Sequence, residues 1–343
     1  MSVYTTNKFS SNVFNQLYAK NLTENIVFSG VTMMVGIREK SKDELSEFLK
    51  TSMAYLYESK MGLADYRKWK TMRRLFCAFS FLQHIELFSK YFSKINFSDE
   101  HEAIWAMNDW VRKHTFGRNR DDFTHTYPQA KMILLSTITL KNVWVNAFNV
   151  SKTEEETFYA TDKMMRVQMM NHIYPYAMFE NQQFRVIFIP INLYKRFAIV
   201  VLPSAGRSLS ITLRHFTTHP LYYYYDRARV LFIDLKLPKF KLFKVLHLVD
   251  TFQHFNVREI FKPNVTDMRG VTKEAVPIHD VIQSSHMVVD EFGEFTMSDD
   301  DVIIKANITL TKFHVNKPFL FYICDEYRRT ILLSAAINHP NND

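Results

Sequence analysis

The residues that could do chemistry are few, and none of them completes a catalytic set. His215 and His219 stand four apart, where two imidazoles on one helix face can hold zinc, but no Glu lies between them as H-E-x-x-H requires. They read as surface or packing histidines. Asp299, Asp300 and Asp301 could bind a hard cation, yet no EF-hand spacing follows, and a solvated loop suits them better. Tyr222 to Tyr225 resemble a base-stacking platform; a partly buried strand explains them more simply. There is no G-x-S-x-G elbow, and Cys77 and Cys324 alone make neither a disulfide framework nor a four-thiolate zinc site. No metal, no cofactor and no enzymatic activity are expected.

Glycine excludes a further class. The 343 residues include only 7, at positions 30, 36, 62, 117, 206, 270 and 293, so no two are closer than six positions. Dinucleotide and Walker loops need glycines at short spacing to bring backbone amides onto phosphate, so both are ruled out. Charge offers one lead. The balance is 43 Lys+Arg against 35 Asp+Glu, and the densest cluster is YRKWKTMRR, 66 to 74. On a helix, Arg67, Lys70 and Arg74 would share a face, with Lys68 and Arg73 beside it. Such a face could hold a glycosaminoglycan or another polyanion, although an ordinary solvated surface is the plainer reading.

The elements that must position these residues fall into two runs. Val13, Phe14, Leu17 and Tyr18 recur at helical spacing, SKDELSEFLK (41–50) opens with a capping box, and 100–114 is a further amphipathic helix. From Met132 strands dominate: 132–140, 184–191, 197–203, 229–238 and a C-terminal pair around FLFYIC and TILLSAAI. Helices first and strands later, without a βαβ rhythm, predict an α+β fold in one domain over 1–343. A 47% hydrophobic chain can bury a large core. No stretch is long and apolar enough to span a membrane, and the first twenty residues lack the apolar core of a signal peptide. A monomer in the cytoplasm is expected, the host-cell cytoplasm if the source is viral, with non-classical secretion as the alternative. Sequons at Asn21, Asn96, Asn149, Asn264 and Asn307 then read as chance.

From about Asn25 to Pro340 the order of motifs resembles the serpin family. NIVFSGVTM (25–33) is similar to N-x-x-F-S-P-x-S, and MNDWVRKHTFGR (107–118) to I-N-x-W-V-x-x-x-T-x-G. STITLKNVWVNAF (136–148), VQMM (167–170), LPKFKL (237–242), NKPFLFYI (316–323) and TILLSAAINHP (330–340) follow in family order. The Gly-poor, leaderless chain looks most like intracellular and poxvirus-type members. The resemblance implies about nine helices, three β-sheets and an exposed reactive-centre loop, here about 292–312. Inhibitory members offer that loop as bait to a protease, which cleaves it. The freed segment then inserts as a new strand in the large sheet and traps the acyl-enzyme.

The loop hinge begins at Glu291-Phe292-Gly293, matching the family's Glu-x-Gly, but departs from the small residues that should follow. An inserted strand turns alternate residues inward. One phase buries Glu294, Thr296, Ser298 and Asp300; the other buries Phe295, Met297, Asp299 and Asp301. Each phase holds two acids. Protonating a buried Glu at neutral pH costs about 4 kcal/mol and an Asp about as much, so two oppose insertion by about 8 kcal/mol. The family's sheet-opening cluster of two Ser, an Asn and a His aligns with Ser29, Thr32, Ser136 and Gln283, while Trp144 is retained and Gly30 replaces the usual Pro. Counting the family's loop length puts the scissile bond near Asn307–Ile308, with Lys305–Ala306 as the alternative. These departures imply weakened or lost suicide inhibition and action by binding a protein partner. The alternative is a working inhibitor of a serine or cysteine protease.

Overall fold

The computed structural model describes residues 3–30, 69–77, 92–115, 123–125, 128–141, 144–191, 196–216, 220–263, 276–295, 309–325 and 329–341. Its α-helices are α1 (Val3–Lys20), α2 (Glu100–His114), α3 (Leu209–Phe216), α4 (Leu221–Tyr225) and α5 (Val249–His254). The first eight strands are β1 (Ile26–Phe28), β2 (Trp69–Cys77), β3 (Phe92–Lys94), β4 (Met132–Lys141), β5 (Trp144–Asn146), β6 (Glu154–Tyr159), β7 (Met164–Glu180) and β8 (Phe184–Ile191). The rest are β9 (Arg196–Pro203), β10 (Arg229–Pro238), β11 (Phe240–His247), β12 (Asp280–Val289), β13 (Gly293–Phe295), β14 (Thr311–His314), β15 (Phe319–Asp325) and β16 (Thr330–Ile337). Two 3-10 turns, Val150–Lys152 and Glu259–Phe261, complete the described set.

Two compact units emerge, one built from Met1–Val31, Lys141–Leu242 and Met287–Asp343, the other from Thr32–Leu140 and Phe243–His286. The first holds an eleven-stranded sheet whose main path runs β1-β16-β15-β9-β8-β7-β10-β14, with β5, β6 and β13 as side branches. Its centre explains itself from sequence. FLFYICD and TILLSAAI are continuous apolar runs, and every residue of β16 is buried, as a strand covered on both faces demands. Helix α1 covers this sheet with the expected stripe of Val13, Phe14, Leu17 and Tyr18, and Phe14 meets Tyr322 edge-on.

The second unit holds the sheet of order β11-β12-β4-β2-β3, apart from a few terminal residues of β4, β11 and β12. Against it packs α2, whose start is fixed by Asp99: its carboxylate accepts the Glu102 N–H at 3.0 Å. Glu100 and Glu102 in the first turn and Arg112, Lys113 and His114 in the last complement the helix dipole. Ala103, Met107, Trp110 and Val111 form the buried stripe and join Ile133, Leu135 and Ile282 in one core.

Two sequence expectations are corrected. Residues 69–77 are not a helix but strand β2, antiparallel to β4 from Trp69↔Leu140 to Cys77↔Met132 and parallel to β3. A spacing of four fits a strand of period two as well as a helix, which is why Lys70 and Arg74 misled. Arg73 has the opposite parity. Tyr222 to Tyr225 lie in helix α4 after Pro220, not in a strand. Leu221, Tyr224 and Tyr225 turn inward at helical spacing, Tyr224 stacking on Phe216 at 4.9 Å and Tyr225 meeting Phe188 at 5.1 Å. The capping-box helix at 41–50 lies outside the described residues. No described helix is long and apolar enough to cross a membrane.

Candidate functional site

Strand β12 is buried except at the partly exposed Val288, and on leaving it at Asp290 the chain is fastened to β5. The Asp290 carbonyl accepts the Trp144 indole N–H at 2.7 Å. The Glu291 carbonyl accepts the Phe148 N–H, and the Phe292 carbonyl the Trp144 N–H, both at 3.1 Å. The next residues run parallel to β5, with Gly293 opposite Trp144 and Phe295 opposite Asn146. Trp144 is wholly buried and packs edge-on to Phe148, which in turn meets His172 at 5.2 Å. Phe292, by contrast, is 55% exposed.

The anchor of this arrangement is the Glu291 carboxylate. One oxygen accepts the Thr153 hydroxyl at 2.7 Å, and the other is 2.8 Å from the Lys239 ammonium. Burial alone would push its pKa up, but the hydrogen bonds from Lys239 and Thr153 and the lysine charge outweigh burial and hold it below the usual carboxylate value. Both partners are themselves held. Lys239 donates its N–H to Gln168 of β7 at 2.8 Å, and Thr153 closes the 150–152 turn, which Asn149 caps through the Ser151 N–H. The result is a segment clamped by charge and backbone pairing immediately before residues 296–308 in sequence.

The second unit carries the seam. Strands β4 and β12 are direct neighbours in their sheet, joined at their start by the bond from His279 N–H to Met132 O at 2.7 Å. Ser136, Thr137 and Thr139 on β4 and Gln283, Ser284, Ser285 and His286 on β12 are all buried polar side chains. A seam dressed with hydroxyls loses less dispersion and apolar burial on parting than one of Leu and Ile would.

The sequence-predicted residues fall as follows. Glu291 and Gly293 are in the clamp, and Glu294 continues the backbone of β13. Ser136 and Gln283 are buried on adjacent strands of the second unit, whereas Ser29 lies in the first, its hydroxyl donating to Leu332 O at 2.6 Å. Trp144 is also in the first unit. Thr32, Thr296, Ser298, Asp300, Lys305, Ala306, Asn307, Ile308, Arg67 and Lys68 lie outside the described residues, as do His219 and Asp299 to Asp301. Lys70, Arg73 and Arg74 are backbone positions of β2. Sequence reasoning missed Lys239, Thr153, Phe148 and Asp290. Thr153 reaches Glu291 across 138 residues, a distance that no local pattern could signal. Among the described residues no group of three or more potential metal ligands gathers.

The eleven-stranded and five-stranded sheets and the Glu291 clamp define an α+β class of protein. The profile of the family described as Serpin (serine protease inhibitor) matches residues 4–340, and the chain belongs to that family. It is 24% identical over 247 residues to an uncharacterized serpin-like protein of Thermococcus kodakarensis, covering 70% of this chain and 57% of that one. It is 29% identical over 216 residues to serine proteinase inhibitor 1 of myxoma virus, covering 60% of this chain and 57% of the relative. The matched region thus spans little more than half the length of those relatives. Among solved structures, native protease nexin-1 with heparin has a TM-score of 0.83 at 18% identity, covering 99% of this chain and all of that one.

Proposed function

We propose that this serpin has weakened or lost suicide inhibition and acts by binding a protein partner. One observation carries the reading: residues 294–301 place two acids in the buried face whichever way the loop inserts. The clamp on Glu291 supports it, because it holds the start of the loop on β5 with an ion pair that insertion must rearrange. The partner binds through the protein's surface, and a protease that meets the loop is expected to cut it and leave.

A second reading has its own support. The polar seam between β4 and β12, the Glu-x-Gly at 291–293 and the buried Trp144 are the parts that a working inhibitor of a serine or cysteine protease would use. The basic segment 66–74 stays a candidate ligand site for a sulfated polymer, with its described part, 69–74, as strand positions and not as a helix face.

The deciding experiment compares thermal unfolding of intact protein with protein nicked between 299 and 308. An unchanged Tm is expected. A rise of tens of degrees would mean that the cut loop inserts, and the binding reading would be abandoned for a screen of proteases that form covalent complexes. In the same assay, Glu294→Thr with small apolar residues at 295–301 is expected to gain that rise if the acids are the obstacle.

A further inference from the structure

Two half-buried cations of the first unit lie near enough to repel, and neither is in an ion pair with a described carboxylate. Arg185 on β8 donates Nη1 to the Lys312 carbonyl of β14 at 2.8 Å, and its guanidinium lies 5.1 Å from the centroid of the buried Phe313 ring. Lys317, in the connection from β14 to β15, donates Nζ to the Ser204 carbonyl at 3.3 Å. The ladder places them together. Arg185 pairs with Leu202 across β8 and β9, and two residues outward Ser204 N–H donates to Gln183 O, so the backbone positions at which the two side chains are anchored lie about 7 Å apart along the strands.

Neither side chain forms an ion pair with a described carboxylate. Glu180 is directly opposite Arg185 across β7 and β8 and attracts it through space, but the guanidinium is directed to the Lys312 carbonyl instead. Burial pushes the pKa of both cations down, and Arg185 pushes that of Lys317 down further. A desolvated pair of like charges is unfavourable unless something negative joins it. Two donors one strand rung apart suit a ligand whose oxygens can bridge them.

We propose that Arg185 and Lys317 bind a tetrahedral oxyanion, phosphate or sulfate, at the ends of β8 and β9 beside β14. An anion there would tie the β14–β15 connection to the sheet just downstream of the loop. The proposal is independent of whether the loop inserts.

The test uses the full chain, with inorganic phosphate titrated against chloride at matched ionic strength. A Tm rise of about 2–4 °C is expected for the unaltered protein, with most of it lost in Lys317→Gln. Phosphate stabilises proteins in general, so an equal rise in both proteins would overturn the site. Glu180→Gln, which removes the competing carboxylate, is expected to lower the half-saturating phosphate concentration about two- to fivefold. Should Lys317→Gln fail to fold, an unchanged half-saturation in Glu180→Gln would overturn the proposal alone. Immobilised heparin separates the sources: Lys317-dependent retention means sulfate of a polysaccharide, whereas phosphate protection without it means a free anion.

Discussion

Replacing Lys239 with Ala removes one arm of the clamp and leaves the Glu291 carboxylate with Thr153 alone. At 2.8 Å the pair attracts by about 6 kcal/mol at an effective dielectric of 20. Most of that is offset, because Glu291 has lost its water and the lysine side chain is 37% exposed, so a net loss of about 1–3 kcal/mol is expected. The assay is a double-mutant cycle of Lys239→Ala, Glu291→Gln and the pair, read by Tm and by the rate of proteolysis within 292–308. Lys239→Ala alone should be worse than the pair of substitutions, because only the single change strands a buried charge. The pH dependence has a definite sign. The Glu291 pKa lies below its ordinary 4.5, so its contribution is full above that value and disappears as pH falls through the lower, folded value. The gap between unaltered protein and Lys239→Ala should therefore narrow as pH falls below 4.5. Strictly additive effects, or a gap unchanged between pH 7 and pH 3, would refute the clamp.

Two further perturbations follow from single contacts. A Cβ built on Gly30 would lie 1.8 Å from the Ser10 hydroxyl and 2.8 Å from the Ser10 Cα, so Gly30→Ala should lower stability by about 1–3 kcal/mol, measured by Tm. His247 is 2.6 Å from the buried Asp280 carboxylate, and that hydrogen bond raises its pKa. Stability from this pair is present below about pH 6.5 and lost as pH rises through the folded value, by less than about 1 kcal/mol because His247 is 54% exposed. Tm at pH 6 and pH 8.5 should differ in the unaltered protein and much less so in His247→Gln.

What the sequence disclosed follows from the range of the interactions involved. Strands β8, β9, β15 and β16 and helix α2 were legible because their pattern is local: continuous apolar runs, or a capped stripe. Gly30 was legible only as a departure, and its cause needed space: α1 brings Ser10 to where a side chain would stand. The clamp was half legible. Glu291 could be singled out, but Lys239 and Thr153 become its partners only when β7, β10 and the 150–152 turn converge. The two failures, the helix expected at 69–74 and the strand expected at Tyr222 to Tyr225, arise where a spacing of four or a run of aromatics fits more than one period. Neighbouring strands decided the first, and the pocket around Phe216 and Phe188 the second.

The polar seam and the acidic hinge pull in opposite directions, and magnitude decides between them. Parting β4 from β12 would expose hydroxyls that water can satisfy, at a lower desolvation cost than an all-apolar pair. Insertion must then accept residues 294–301, whose two inward acids cost about 8 kcal/mol before compensation. Equilibrium could still favour insertion in a strained fold, but trapping a protease is a race against deacylation. If only a third of that cost reaches the barrier, about 3 kcal/mol, insertion slows roughly a hundredfold. Under the proposed reading, a protease that hydrolyses its acyl-enzyme faster than that would escape. The proposed binding reading rests on that difference in magnitude, carried by the residue types at 294–301.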